Sequence, residues 1–232
     1  MMRNRHDVEP SGERPPSCLP RFALAGLAAF LCVLMGCSSP PDIHYYDIRL
    51  PDPPPATSGQ DASSSVGPLP IRLVGVDLPA HLDLPEIFYR KSLYQAGYYD
   101  YHRWVRPLSE SLEAELVRYL EKTGHFAVIC DRRTDRDPAA LRNAAPAALH
   151  IKVIEFNEND GQGDLWTVEA EFLVRIDNLP GGTTRRATLA RSFPVSRRNA
   201  AGTVEALNLV FAEIVGDIVL EFGGVHELRG EK

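Results

Sequence analysis

Residues 166–177 read Trp-Thr-Val-Glu-Ala-Glu-Phe-Leu-Val-Arg-Ile-Asp. Every second residue from Trp166 to Ile176 is apolar, and Thr167, Glu169, Glu171, Arg175 and Asp177 mainly fill the alternate positions. Successive side chains of a strand point to opposite faces, so the stretch predicts a long strand with one buried face and one wet face. Upstream, Ala148–Phe156 supplies a partner strand, joined through the turn composition Asn157-Glu158-Asn159-Asp160-Gly161. Downstream, Pro180-Gly181-Gly182 leads into a third strand with Ala187, Leu189, Phe193 and Val195 inward. Such a sheet needs cover on its apolar face, and two helical stripes offer it. Leu108, Leu112, Leu116 and Leu120 recur every four residues, with Val105 and Val117 alongside, between Pro107 as first helical residue and Gly124 as exit. Val204, Leu207, Phe211, Ile214, Ile218 and Phe222 form a second stripe, opened by Thr203 as cap and closed by Gly223-Gly224. Further strands are predicted at 43–50, 71–78, 86–90, 98–105 and 125–131, the third and fourth of these paired around Gln95-Ala96-Gly97. Arg132–Asn143 is charged and predicts a loop with a short helix. The pattern predicts a single α+β domain over residues 43–228: a mainly antiparallel β-sheet covered on one face by two long α-helices, with a flexible Pro/Ser-rich loop at 51–70.

Composition narrows the function. The chain has 232 residues, 44% hydrophobic and 24% charged, ordinary for a globular protein. Its 31 acidic residues outnumber 25 basic ones, for a net charge of −6, which disfavours nucleic acid as a partner. No uncharged run is long enough for a polytopic membrane protein. Catalytic signatures are missing: the His residues lack HExxH spacing, and GxSxG and the phosphate-binding GxxxxGK[ST] are both absent. Gly161-Gln162-Gly163 opens no helix and is better a hairpin turn; Asp131–Asp137 carries its own Arg residues and is better a solvated loop than an ion site. The expectation is a protein without enzymatic activity, metal or cofactor. Cys130 ends an apolar run and is expected to be a small buried hydrophobe, since no second cysteine lies near it for a disulfide.

The other cysteines, Cys18, Cys32 and Cys37, belong to the N-terminus. Arg3, Arg5, Arg14 and Arg21 precede an uncharged run from Phe22 to Met35. As a helix that run reaches about 21 Å, short of the ~30 Å hydrocarbon core, as in a secretory signal. It ends in Leu34-Met35-Gly36-Cys37, followed by Ser38-Ser39-Pro40-Pro41. This resembles a bacterial lipobox. The resemblance implies residues 1–36 as a lipoprotein signal peptide, a lipid-modified Cys37 and a tether over 37–42. More than one acyl chain gives a stable anchor, so the body is attached to a membrane without spanning it. Ser38, rather than Asp, after the cysteine favours the periplasmic face of the outer membrane.

Residues 88–104 concentrate aromatic side chains: Phe88, Tyr89, Tyr94, Tyr98, Tyr99, Tyr101 and Trp104. Rings with a polar edge suit a protein interface, and they equally suit packing onto the domain's own helix. Both readings stand on the sequence, with Arg90, Tyr98, Tyr99 and Trp104 as candidate partner-binding residues. Arg90 has two structural uses open to it, pairing with Asp83 or capping the helix that begins at Pro107.

The surrounding residues carry a longer pattern. Leu78, Pro79, Leu82, Asp83, Pro85, Ile87 and Arg90 make one element, and Arg103, Trp104, Pro107 and Leu108 make a second, with Tyr45-Tyr46 shortly after Cys37. The pattern is similar to that of the ABC-type transport auxiliary lipoprotein family, the lipoprotein subunits of membrane-integrity transporters that work with MCE-domain proteins. Val105-Arg106 depart from the small or acidic residues usual there. The resemblance implies a non-catalytic subunit of an intermembrane lipid transport system, partnered by an MCE-domain protein, docking the assembly at the outer membrane and open to homo-oligomer formation. Two alternatives of other kinds are a stand-alone periplasmic lipid-binding lipoprotein and a lipoprotein regulator of an envelope enzyme.

Overall fold

The computed structural model describes residues 41–53, 68–130, 146–160, 166–179 and 181–223. The lipobox with Cys37, most of the 51–70 loop, the Asp131–Asp137 run, the Gly161–Gly163 turn and the Cys130 side chain lie outside the described residues. Asp42–Lys232 forms one compact unit.

Among the described residues, eight strands and two helices follow in the order β1 (His44–Tyr46), β2 (Leu69–Asp77), β3 (Glu86–Ser92), β4 (Gln95–Trp104), α1 (Leu108–Thr123), β5 (Phe126–Cys130), β6 (Ala147–Asp160), β7 (Trp166–Leu179), β8 (Thr183–Pro194) and α2 (Ala200–Gly223). All strands join one sheet. β6 is its spine. β7 pairs along its length on one side, from Ala148↔Asp177 to Asp160↔Trp166. The other side is shared: β2 takes the first half, Ile71↔Ala147 to Asp77↔Lys152, and β3 meets the second half at Tyr89↔Glu158 and Arg90↔Asn159. β5 extends the β2 branch, β4 and β1 extend the β3 branch, and β8 closes the far edge beside β7.

The sheet is mixed and mostly parallel, which corrects the expected antiparallel arrangement. Three hairpin-like links are antiparallel, β3–β4, β6–β7 and β7–β8; the first turns at Leu93-Tyr94, and Gln95-Ala96-Gly97, expected as its turn, instead opens β4. The remaining pairings, β1–β4, β2–β5, β2–β6 and β3–β6, are all parallel. Side-chain alternation reports which face is buried and carries no information on strand direction. Direction follows connection length, and the β2–β5 pair closes only after β3, β4 and α1 have intervened.

The burial expectations for the faces hold. Val168, Ala170, Phe172, Val174 and Ile176 of β7 are buried, and the four leucines of α1 and the α2 stripe join them in one cluster. Both helices pack on the sheet and touch each other, α1 over β2 and β5, α2 over β6, β7 and β8. Gly124 ends α1 with φ 73°, a left-handed value that a residue without Cβ adopts at no steric cost. Val105 is exposed and takes no part in the α1 stripe.

Helix starts differ from expectation. Pro107 stands before α1 as its N-cap. α2 begins three residues earlier than Thr203, and its cap is Asn199, whose Oδ1 accepts the Gly202 N–H at 2.9 Å. A Cβ at Gly202 would come within 2.1 Å of the Arg197 carbonyl oxygen, so glycine permits this tight entry. β6 also runs straight through Asn157–Asp160, which composition assigns to a turn. β7 and β3 flank that segment and satisfy its backbone.

The strand expected at 43–50 pairs only over His44–Tyr46. Beyond it the chain leaves the sheet and is held by side chains. Ile48 and Leu50 are buried in the core. The Arg49 N–H donates to Asn208 Oδ1 of α2 at 2.6 Å, and the Leu50 N–H donates to Glu115 Oε2 of α1 at 3.0 Å. Arg118 bonds Glu115 Oε2 through Nε at 3.0 Å and Nη2 at 2.8 Å, donates to the Leu50 carbonyl, and reaches Asp52 at 2.8 Å. Lys122 joins at Asp52, 2.5 Å away. Asp47 sits 3.5 Å from Arg106 and accepts from the Ser111 hydroxyl at 3.3 Å. Residues 47–52 are thus strapped to both helices.

Candidate interaction surface

The two sequence elements around the β3–β4 hairpin are a structural joint. A turn closed by the Leu82 N–H to the Pro79 carbonyl (2.9 Å) buries Leu82 and turns Asp83 toward α1. Asp83 Oδ1 then accepts the Ser109 N–H at 3.0 Å, and Oδ2 accepts the Ser109 hydroxyl at 3.2 Å. Asp83, not Arg90, therefore caps the helix. A carboxylate at the positive end of a helix dipole satisfies donors that Pro107 cannot serve. The Trp104 N–H donates to the Pro85 carbonyl at 2.7 Å and ties the second element to the first.

The candidate binding residues separate. Trp104 is buried in the core, in register with Tyr46 of the edge strand β1. Tyr98 is half-buried, edge-on to Phe88 with ring centroids 5.5 Å apart, and its hydroxyl donates to the His81 carbonyl at 3.4 Å. Tyr99 turns to the helix side and donates to Glu158 Oε2 at 2.8 Å. Arg90 leaves Asp83 alone. Its guanidinium carbon lies 5.9 Å from the Phe88 ring centroid, and its Nε is buried without a hydrogen-bond partner. Cys37 lies outside the described residues. Tyr98 meets Phe88, and Tyr99 meets Tyr89 and His102, so the hairpin braces itself with its own rings.

The most exposed part of the hairpin is its tip. Leu93 is 75% and Tyr94 97% exposed. The tip overhangs an open cleft of about 470 Å³ lined by Arg90, Ser92, Leu93, Glu155, Asn159, Asp160 and Glu169. Burial raises the Glu155 pKa, and the neighbouring Glu169 raises it further, while Arg90 pulls the other way. The cleft is thus an acidic notch with one cation, Arg90, and one leucine, Leu93, in its lining. The sequence signal for the tip was Leu93-Tyr94 between two strands. It was masked by the more numerous rings of β4.

On the helix side, Glu158 is buried at the joint of hairpin, β6 and α2. One oxygen, Oε2, accepts from both the Tyr99 and the Thr203 hydroxyls. Burial raises the Glu158 pKa and these two bonds partly offset it; burial and then Glu158 raise the Tyr99 pKa. Because the folded pKa lies above the ordinary 4.5, folding favours the protonated acid. Its contribution is fully present below pH 4.5 and is lost as pH rises through the folded value. Urea midpoints of the wild-type chain should therefore fall, relative to Glu158→Gln, as pH rises from 4 to 8. Glutamine keeps an acceptor for both hydroxyls and removes the titration. Parallel pH profiles for the two proteins would show that Glu158 titrates normally.

Among the described residues, no helix is long and apolar enough to cross a membrane, and no group of three or more His, Cys, Asp or Glu could hold a metal ion. Among the described residues, the buried apolar side chains of sheet and helices form one cluster.

Comparison with known proteins bears on this body as a whole. The protein XCC0632 from Xanthomonas campestris, of family model DUF330, shares 16% identity with a TM-score of 0.63, over 81% of this chain and 99% of that one. A second solved structure, of an uncharacterized protein, shares 16% identity with a TM-score of 0.56, over 78% and 99% of the two chains. These likenesses concern the fold. No curated protein matches the chain. The model of one family, the ABC-type transport auxiliary lipoprotein component, matches residues 47–219. That span starts at the strapped Asp47 and includes the Asp83–Ser109 cap, the spine strand and nearly all of α2. The chain therefore belongs to the family of ABC-type transport auxiliary lipoprotein components.

Proposed function

We propose that this chain is a non-catalytic, lipid-anchored subunit of an ABC/MCE-type intermembrane lipid transport system, held at the periplasmic face of the outer membrane. In this reading Cys37 carries the lipid and the folded body receives an MCE-domain partner. The observation that carries it is the strap: the segment just after the lipobox is fixed to both helices by Glu115, Arg118 and Asn208, so an anchor at Cys37 would hold a rigid body close to its membrane. Only about 22 Å of extended chain separates Cys37 from Ile43. Family membership supports the transport assignment and a cell-envelope location.

The docking residues we propose are Leu93 and Tyr94 with Arg90 at the cleft beneath them. An exposed leucine–tyrosine pair over a charged notch has the makeup of an interface anchor with a polar surround. Tyr98, Tyr99 and Trp104 act in docking by shaping the hairpin. The test is co-purification from cells. The wild-type chain should bring down an MCE-domain protein, and Leu93→Ser/Tyr94→Ser should lose it while keeping the wild-type melting curve. Retention by that folded variant would remove the tip as the dock. Failure of labelled palmitate to incorporate, or firm membrane attachment of Cys37→Ala, would overturn the anchor. Lipid retained by the delipidated protein in native mass spectrometry, with no MCE partner recovered, would favour the carrier.

A further inference from the structure

At the opposite end of β4 from the hairpin tip, a second apolar group is exposed. Ile43 (42%), Tyr45 (61%), Tyr101 (46%) and Val105 (60%) are large hydrophobic side chains open to solvent. They are neighbours by register. β1 is the outermost strand of its branch and runs parallel to β4, with His44 opposite His102, Tyr45 opposite Arg103 and Tyr46 opposite Trp104. Ile43 therefore continues the ladder beside Tyr101, and the Val105 N–H extends it by donating to the Tyr46 carbonyl at 2.8 Å. The alternate residues of β1 point the other way: His44 stacks on His102 with centroids 5.2 Å apart, and the Tyr46 hydroxyl lies 2.9 Å from His102 Nδ1. Internal packing thus uses His44 and Tyr46 and leaves Ile43 and Tyr45 outward.

We propose that Ile43, Tyr45, Tyr101 and Val105 form the surface that lies against the lipid bilayer, seated in its headgroup region. The inference rests on the lipid anchor at Cys37 proposed above. Chain length selects the occupant. Ile43 is six residues from Cys37, so at most about 22 Å of chain links the patch to the acyl chains, and the strap at residues 47–52 prevents the body from moving off on a longer leash. Among the described residues, no other exposed large hydrophobic side chain stands as near the anchor along the chain as Ile43 and Tyr45. The residue types suit the site. A tyrosine ring with an apolar body and a wet hydroxyl favours the membrane–water boundary, and isoleucine and valine add buried area there. Charge does not compete as an explanation, because the chain is acidic overall and an anionic leaflet would not attract it. Arg103 is the cation within the patch, already 3.4 Å from Glu86. Tyr94 stands seven residues from Tyr101 along the hairpin, roughly 23 Å at about 3.3 Å per residue, and so lies outside the patch.

The test uses the full lipidated protein in vesicles of phosphatidylethanolamine and phosphatidylglycerol, with a fraction of the acyl chains brominated near the headgroup. Tyr45→Trp and Tyr94→Trp are compared, each after subtraction of the signal of the unsubstituted protein. Tyr45→Trp should lose most of its added emission to bromine and shift to the blue, and Tyr94→Trp should do neither. No quenching at position 45, or equal quenching at both positions, overturns the proposal while vesicle co-sedimentation shows the anchor intact. A blue shift at position 45 without quenching assigns the patch to a protein contact and overturns it too. A protein that neither incorporates palmitate nor co-sediments fails the anchor reading itself, which separates the two failures.

Discussion

Phe211→Ala should cost about 3–5 kcal/mol of stability, the range for truncating a fully buried phenylalanine. Phe211 of α2 stacks on Phe172 of β7 with centroids 5.9 Å apart and meets Phe156 of β6 edge-on at 6.1 Å, and Phe156 and Phe172 meet edge-on at 6.0 Å. All three rings are fully buried. The triad is where α2 is fastened to the spine of the sheet, so truncation there leaves a cavity with rigid walls on two sides. Each aromatic pair adds about 0.5–1.5 kcal/mol beyond its buried area, and Phe211 belongs to two pairs. For a domain of this size the melting temperature should fall by on the order of 10 °C. Leu220→Ala on the exposed side of the same helix should stay within about 0.5 kcal/mol of wild type. Urea denaturation measures both. A Phe211→Ala cost under about 1 kcal/mol would show that the rings do not close on one another in solution.

That triad was legible in the sequence, because Phe172 sits in the alternation of β7 and Phe211 in the four-residue stripe of α2. Periodicity finds faces, and the faces were found. What it cannot supply is the partner across a strand. The parallel pairing of β2, β3 and β5 depends on connections through helices and loops, which leave no mark on the strands themselves. Polar residues were misplaced for a related reason. Asn157-Glu158-Asn159-Asp160 has the composition of a turn, yet Glu158 gains two hydroxyl donors from Tyr99 and Thr203, residues far away in sequence. Glu115 likewise looks like one more solvent-facing acid of α1 until Leu50 and Arg118 are placed against it. Asn199 carried a usable signal, a good N-cap residue just ahead of a helical run, and was overshadowed by Thr203 beside the first large apolar side chain. The candidate site followed the same logic. Aromatic density located the hairpin correctly but could not tell the rings that brace it, Tyr98, Tyr99 and Trp104, from the one that stands free at its tip, Tyr94.

Arg118→Ala should be nearly as damaging as the core truncation, at about 3 kcal/mol, although Arg118 is itself partly exposed. Glu115 is only 3% exposed, and Arg118 is its principal counter-charge; Arg49 stands farther off, at 3.6 Å. The ion pair lifts the Arg118 pKa, chiefly through its bonds to Glu115, so the guanidinium stays charged at any pH at which the chain folds. Removing it leaves a buried carboxylate without compensation, the costly way to break such a pair. Arg118→Lys should not restore stability, because one ammonium cannot serve Glu115, the Leu50 carbonyl and Asp52 from a single fork. Glu115→Leu/Arg118→Leu should recover much of the loss, since an apolar pair removes both charges together, though it gives up the acceptor of the Leu50 N–H, the donor to the Leu50 carbonyl and the contact with Asp52. Amide exchange supplies the local readout: Arg49 and Leu50 should lose protection in Arg118→Ala more than Leu116 or Leu120 do. The consequence for an anchored protein is mechanical. Freeing residues 43–53 would add up to about 40 Å of extended chain between lipid and body. Bromine quenching of Tyr101→Trp, which sits in the body, should then be abolished by Arg118→Ala while palmitate labelling and vesicle binding persist. Unchanged stability together with unchanged quenching would show that the strap neither holds the fold nor sets its distance from the membrane.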